Sequence, residues 1–253
     1  MNVGEDSMAV PCIAQKSPVV RPDGRKAEEP RPLYLQTGII PSASGSTLLE
    51  SGHTKIVCSV HGPRQVRGRH YAGKAEVNVQ FEMAPFSEKE RRSSRDTEAP
   101  VPAALIQQAL LPAIRLDLLP KSSIDVHITV LDSDTSMLGC AAMGATAASA
   151  ALAEAGVQML GLVTGATATA ISTLPSTNKA QQLWLVDPTH REYADSHSHL
   201  MICGLPALGM TTCYVLQGSV DSMNALKHVS NTLTQVTTKY HGLVAQSLYN
   251  EHT

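Results

Sequence analysis

The sequence predicts an α+β fold with helices packed on mixed sheets. Short segments of alternating apolar and polar residues recur along the chain, as half-buried strands require. Two longer stretches, Ser136–Ala155 and Met223–Leu248, carry helical patterns. The order is strands, helix, strand, helix, strands, helix, which is not the strict alternation of a parallel α/β sheet.

Residues 1–30 carry Pro11, Pro18, Pro22 and Pro30 with mixed charge and are expected to form an extended N-terminal arm. A single domain is expected over residues 31–253. Leu33–Ile40, Gly45–Glu50 and Thr54–His61 are predicted as an antiparallel meander. Gly62-Pro63 is expected to end its third strand. Ala75–Met83 alternates Val77, Val79, Phe81 and Met83 against polar neighbours. Residues 86–100 form a charged loop without apolar period. A helix is expected from Ala103 to Leu116, with Pro112 within it to kink or shorten it. Ile124–Leu131 is the next strand, and a polar turn at Asp132–Ser136 starts the Ala-rich helix. Leu160–Ser172 and Leu183–Val186 follow, separated by the polar insertion Thr173–Gln181. Leu200–Cys203 and Met210–Gln217 form a strand pair. The last helix places Leu226, Val229, Leu233, Val236, Tyr240 and Val244 on one face.

Composition excludes whole classes. Hydrophobic residues are 43% of the 253 and charged residues 17%, so the chain buries a real core and is not disordered. Lys and Arg number 20 against 22 Asp and Glu, so any nucleic-acid contact is local. The five cysteines, at 12, 58, 140, 203 and 213, lack the close spacing of a zinc site. A reducing compartment is expected. Leu138–Ser172 holds one charge, Glu154, yet its Ala content fits a core helix better than a membrane span.

An ordered series of motifs now stands out. Arg21-Pro22-Asp23-Gly24-Arg25 is followed by Ser44-Gly45-Ser46, Glu50-x-Gly52-x-Thr54-Lys55 and Gly62-Pro63-Arg64. Met83-Ala84-Pro85-Phe86-Ser87, Ala153-Glu154-Ala155-Gly156-Val157 and Asp187-Pro188 complete it. The series resembles the RNase PH family, in particular the ring subunits of the RNA exosome. The resemblance covers about residues 20–250 and implies the RNase PH fold, with the topology of ribosomal protein S5 domain 2. The glycines are explained by turn chemistry alone: Gly24, Gly45 and Gly52 supply conformations that side chains resist.

The resemblance also implies where a phosphorolytic site would lie. Active relatives open the Ala-rich helix with Gly-Ser-Arg, an anion cradle at a helix N-terminus. The matching positions here are Gly139, Cys140 and Ala141. Serine has become a thiol and arginine a methyl. Each charge-assisted bond so lost is worth roughly 1.5–3 kcal/mol. Active relatives place two aspartates about six and twelve residues after the Asp of the Asp-Pro pair. Here those positions are Tyr193 and His199, and neither is a carboxylate. Asp195, His197 and His199 alternate, so on a strand they would share one face; a solvated His-rich loop is the plainer expectation. Arg95 stands near a second phosphate-contacting position, beside the repelling Asp96 and Glu98. No catalytic residue, metal or cofactor is therefore expected.

What remains is basic and structural. Arg64, Arg67, Arg69 and His70 form one cluster, and Lys89, Arg91, Arg92 and Arg95 another. By the resemblance these loops face a central pore and touch RNA backbone, for which Arg is suited. The implied partners are other RNase PH-like exosome ring subunits, RNA-binding cap subunits and single-stranded RNA, with no membrane. The implied location is the nucleus, nucleolus and cytoplasm. The competing expectation is an active phosphate-dependent 3′→5′ exoribonuclease, alone or completed by a paired subunit. A small-molecule kinase is a weaker one: Leu138-Gly139-Cys140-Ala141 is faintly similar to such a turn, but no G-x4-G-K-[ST] pattern is present.

Overall fold

A computed structural model describes residues 21, 23–65, 73–88, 91, 93, 97–173, 181–220 and 222–251. Two sheets hold the molecule together. The first contains β1 (Leu33–Thr37), β2 (Gly45–Ser51), β3 (Thr54–Gln65), β4 (Glu76–Met83) and β5 (Ser122–Asp132), in the order β1-β2-β3-β5-β4. The second contains β6 (Thr164–Thr173), β7 (Gln181–Val186), β8 (Ser198–Leu205) and β9 (Met210–Gly218), in the order β7-β6-β8-β9. Among the described residues the α-helices are α1 (Pro100–Leu110), α2 (Met137–Glu154), α3 (His190–Ala194) and α4 (Met223–Glu251). All named strand pairs are antiparallel except β4 with β5.

The predicted meander is present: Thr47 faces Cys58, and Leu35 faces Leu49. Gly62-Pro63 does not end its strand. β3 continues to Gln65, and a register shift between His61 and Arg64 absorbs the dipeptide. The helix predicted from Ala103 to Leu116 begins earlier, at Pro100, and ends at Leu110. Pro100 occupies the first turn, where a missing N–H costs nothing, and the helix stops before Pro112, which shortens it rather than kinks it. β9 pairs with β8 as expected.

The Ala-rich helix α2 runs between the two sheets. Its side chains from Leu138 to Leu152 are buried on every face. It is long and apolar enough to cross a membrane, yet 83% of that window is buried inside the fold. Small residues allow the close approach. A Cβ on Gly165 of β6 would lie 2.6 Å from the Ala142 carbonyl oxygen, and one on Gly45 of β2 would lie 2.6 Å from the Ala155 nitrogen. Gly45 therefore serves contact with α2, and the turn role read for it is corrected; Gly24 and Gly52 do hold positive φ, at 72° and 61°.

One core joins the first sheet, α1, α2 and the facing side of β8 and β9, with Leu49, Ile56, Phe81, Ile106, Ile128 and Leu152 nearly sealed from solvent. Burying each such side chain contributes about 1.5–3 kcal/mol. A second core lies on the other face of the second sheet, where Trp184, Val186, Leu200 and Ile202 meet Val229, Leu233, Val236 and Tyr240 of α4.

Candidate functional site

The N-terminus of α2 is where the sequence places a degenerate anion cradle. Ser136 caps the helix, its hydroxyl accepting from the Gly139 N–H at 3.0 Å. The Cys140 N–H donates to the Ser136 carbonyl at 2.9 Å. Two amides that a cradle would aim at an anion are thus taken up internally. Thr135 closes the space above: a Cβ on Gly139 would lie 2.9 Å from its Cγ2. The Thr135 hydroxyl donates to the Pro188 carbonyl at 3.1 Å, and the His190 N–H to the Asp134 carbonyl at 2.9 Å. Cys140 and Ala141 are fully buried, and Cys140 Sγ lies 3.3 Å from the Ser133 hydroxyl. The helix end is plugged by its own chain.

Asp187 sits beside this plug at the end of β7, buried and at φ 46°. Its backbone carbonyl accepts from Arg21 at 3.1 Å and Arg25 at 3.2 Å. Its carboxylate accepts from the Arg31 N–H at 3.3 Å and from the Tyr240 hydroxyl. Burial pushes the Asp187 carboxyl above its ordinary value, against the lowering influence of Tyr240, Arg31 and Arg25. Burial and the neighbouring Asp187 carboxylate push the Tyr240 phenol up. These groups pin the arginine-rich segment before β1 to α4; Arg21 also reaches Glu192, while the buried Arg31 Nε and Nη1 have no hydrogen-bond partner among the described residues.

The stretch from 190 to 199 is not a His-rich loop. It forms α3, opened by a capping box in which Thr189 and Glu192 exchange side-chain and backbone hydrogen bonds. β8 follows from Ser198. Asp195 ends the helix and His199 lies on the strand, so Asp195, His197 and His199 do not share one strand face. Among the described residues, no group of three or more His, Cys, Asp or Glu is placed to hold a metal ion. The Tyr193 and His199 rings instead stack on each other, centroids 4.1 Å apart and planes 29° apart. Ser196 Oγ lies 3.3 Å from His199 Nδ1. Burial pulls the His199 imidazole below its ordinary value, which favours the neutral ring.

Known proteins share the sequence pattern and the fold. The model of the 3′ exoribonuclease family, domain 1 (RNase PH), matches residues 29–158. An exosome complex component Rrp41 from Methanopyrus kandleri is 35% identical over 204 residues, covering 79% of this chain and 80% of its own. The chain belongs to the RNase PH family. A second relative, the exosome complex component MTR3 of Mus musculus, is 35% identical over 206 residues, covering 74% of this chain and 71% of its own. The crystal structure of rice (Oryza sativa) Rrp46 superposes with a TM-score of 0.73 at 17% identity, covering 90% of this chain and all of that one, and shares the fold.

In this RNase PH family member the basic positions are only partly visible. Arg64 is exposed at the end of β3, where it pairs in register with Ser123. Arg91 is exposed in the charged loop. Arg67, Arg69, His70, Lys89, Arg92 and Arg95 lie outside the described residues, as does Cys12. The sequence reading missed the pairing of Arg21 with Glu192. Its trace was there: Thr189-x-x-Glu192 is a capping box pattern, which the histidines around it obscured.

Proposed function

We propose that this chain is a non-catalytic wall of an exosome core ring, supporting 3′→5′ RNA processing by lining a channel for single-stranded RNA. One observation carries the reading: a stacked phenol and imidazole, Tyr193 on His199, stand where the resemblance to active relatives calls for two carboxylates. Phosphorolysis needs an anion cradle and a pair of acids to hold a metal or move a proton at the scissile phosphorus. Neutral rings supply neither charge. The plugged α2 N-terminus supports the same reading, since Gly139 and Cys140 direct their amides to Ser136. Two relatives named as exosome components support the ring membership, not the loss of chemistry.

The ring contact is assigned to β9. It is an edge strand, and Met210–Gly218 contains no charged residue. Met210, Tyr214 and Leu216 are exposed along it. Edges without charge or proline invite strand pairing, and a neighbouring RNase PH-like subunit would cover this one. Thr54–Gln65, by contrast, lies inside its sheet between β2 and β5. Cap subunits would sit on one face of the ring, and RNA would touch the Arg64 side. The assembly would work in nucleus, nucleolus and cytoplasm.

The test is release of nucleoside diphosphates from RNA in phosphate buffer, by the lone chain and by the complex purified with it. The lone chain is expected to release none. Release by the lone chain that disappears on Asp195→Ala would establish the competing reading, an active phosphate-dependent exoribonuclease. Mass spectrometry of the purified complex is expected to find related ring subunits and cap proteins.

A further inference from the structure

Two cysteines face each other across the strand pair at the edge of the second sheet. Cys203 on β8 is in direct register with Cys213 on β9. Neither is in a disulfide, and both are buried on the side of the sheet that faces the main core. Opposed residues of an antiparallel pair have Cα atoms about 4.5–5.5 Å apart. That lies inside the window of about 4.4–6.8 Å that a disulfide spans. The other described cysteines lie against residues of other kinds: Cys58 faces Thr47 and Ile128, and Cys140 lies against Ser133.

We propose that Cys203 and Cys213 form a reversible cross-strand disulfide that latches the edge strand β9 onto β8. The proposal stands without the ring reading. Local structure supplies the means. The register shifts between Cys203 and Gly204, leaving Thr212 as an extra residue beside the pair. β9 has one strand neighbour and Cys213 as its single buried residue, so its opening exposes less core than that of an inner strand.

The chemistry is thiol–disulfide exchange with a low-molecular-weight disulfide such as oxidised glutathione. When β9 opens, the Cys213 thiol loses its proton and attacks one glutathione sulfur. The glutathione S–S bond breaks, one glutathione thiolate leaves, and a mixed disulfide forms. The Cys203 thiol then loses its proton and attacks Cys213 Sγ. The protein S–S bond forms, and the second glutathione thiolate leaves. The two protons pass to the two leaving thiolates, and the two protein thiols are oxidised as the glutathione disulfide is reduced. Burial raises both thiols, and each stays protonated while the strand is closed. Exchange therefore reports the opening of β9, and in a reducing compartment the pair rests as two thiols.

The full chain, incubated with oxidised glutathione under native conditions, is alkylated, digested without reductant and analysed by mass spectrometry. The expected product is one linked peptide pair joining Cys203 to Cys213, cleaved by dithiothreitol. Hydrogen exchange of the β9 amides is expected to slow by about tenfold or more in the oxidised form and to recover on reduction. Separate glutathionylated or alkylated thiols at 203 and 213 would overturn the proposal. Linkage of either residue to Cys12, Cys58 or Cys140, or β9 exchange unchanged by the link, would do the same.

Discussion

Arg21 grips Glu192 at two points: its Nε donates to Oε1 at 2.8 Å and its Nη2 to Oε2 at 2.9 Å. The two residues are 171 positions apart, and both side chains are nearly sealed from solvent. The pair fastens the segment before β1 to the short helix α3. A fork of this geometry is the strong form of an ion pair. Removing one partner leaves the other charge buried and unmatched. Glu192→Ala is expected to cost about 3 kcal/mol or more, read from the urea midpoint.

The same carboxylate sets an acid limit. Burial alone would raise it, but the Arg21 and Thr189 hydrogen bonds outweigh burial and hold it below its ordinary value. A depressed carboxylate contributes stability that is full above the unfolded value, about 4.3, and lost as pH falls through the folded one. Urea midpoints measured across that range should drop with acidification, and Glu192→Gln should flatten the drop.

His199 gives a second, milder slope. Its folded value lies below the ordinary histidine value of about 6.5, because burial disfavours the imidazolium. The unfolded state then binds the proton more readily. Stability is full above about pH 6.5 and falls as pH drops through the folded value. His199→Asn should remove this part of the pH dependence while leaving stability near pH 8 less affected, as a urea series from pH 5 to 8 would read.

Sequence made the strands and the two long helices legible because period and β-branching report burial directly. It misplaced α1 because proline permits a helix start as readily as it forbids an interior, and only packing decides between Pro100 and Pro112. Gly62-Pro63 misled for a related reason: a register shift lets a strand pass through it. At the site, the residue types at Cys140, Ala141, Tyr193 and His199 are readable one by one. That the rings at 193 and 199 would stack, and that Thr135 would plug the helix end, depends on segments brought together by folding.

Restoring one charge should not restore a cradle. Ala141 is fully buried inside the layer between the sheets. An arginine there would overpack the layer and bury a charge, so Ala141→Arg is expected to destabilise by about 3 kcal/mol or more. Gly165→Ala probes the same tight layer more gently, at about 1–3 kcal/mol. Thermal unfolding of the two variants beside the parent chain checks both.

Arg64, exposed at the end of β3, tests the proposed RNA contact. Arg64→Glu in the assembled ring should weaken binding of single-stranded RNA and reduce the salt slope by about 0.7 for each phosphate no longer neutralised. Filter binding at several salt concentrations would show it. An unchanged slope would remove Arg64 from the RNA path.

Helix α4 returns to the first strand. Its Ser247 hydroxyl donates to the Leu35 carbonyl at 2.9 Å, and its Tyr240 hydroxyl, which donates to Asp187, lies 3.4 Å from the Arg31 carbonyl oxygen. During synthesis β1 therefore waits some two hundred residues for the helix that covers it. Until then the nascent polypeptide shows a half-dressed sheet to its surroundings, an opening for chaperones to hold or for proteases to exploit.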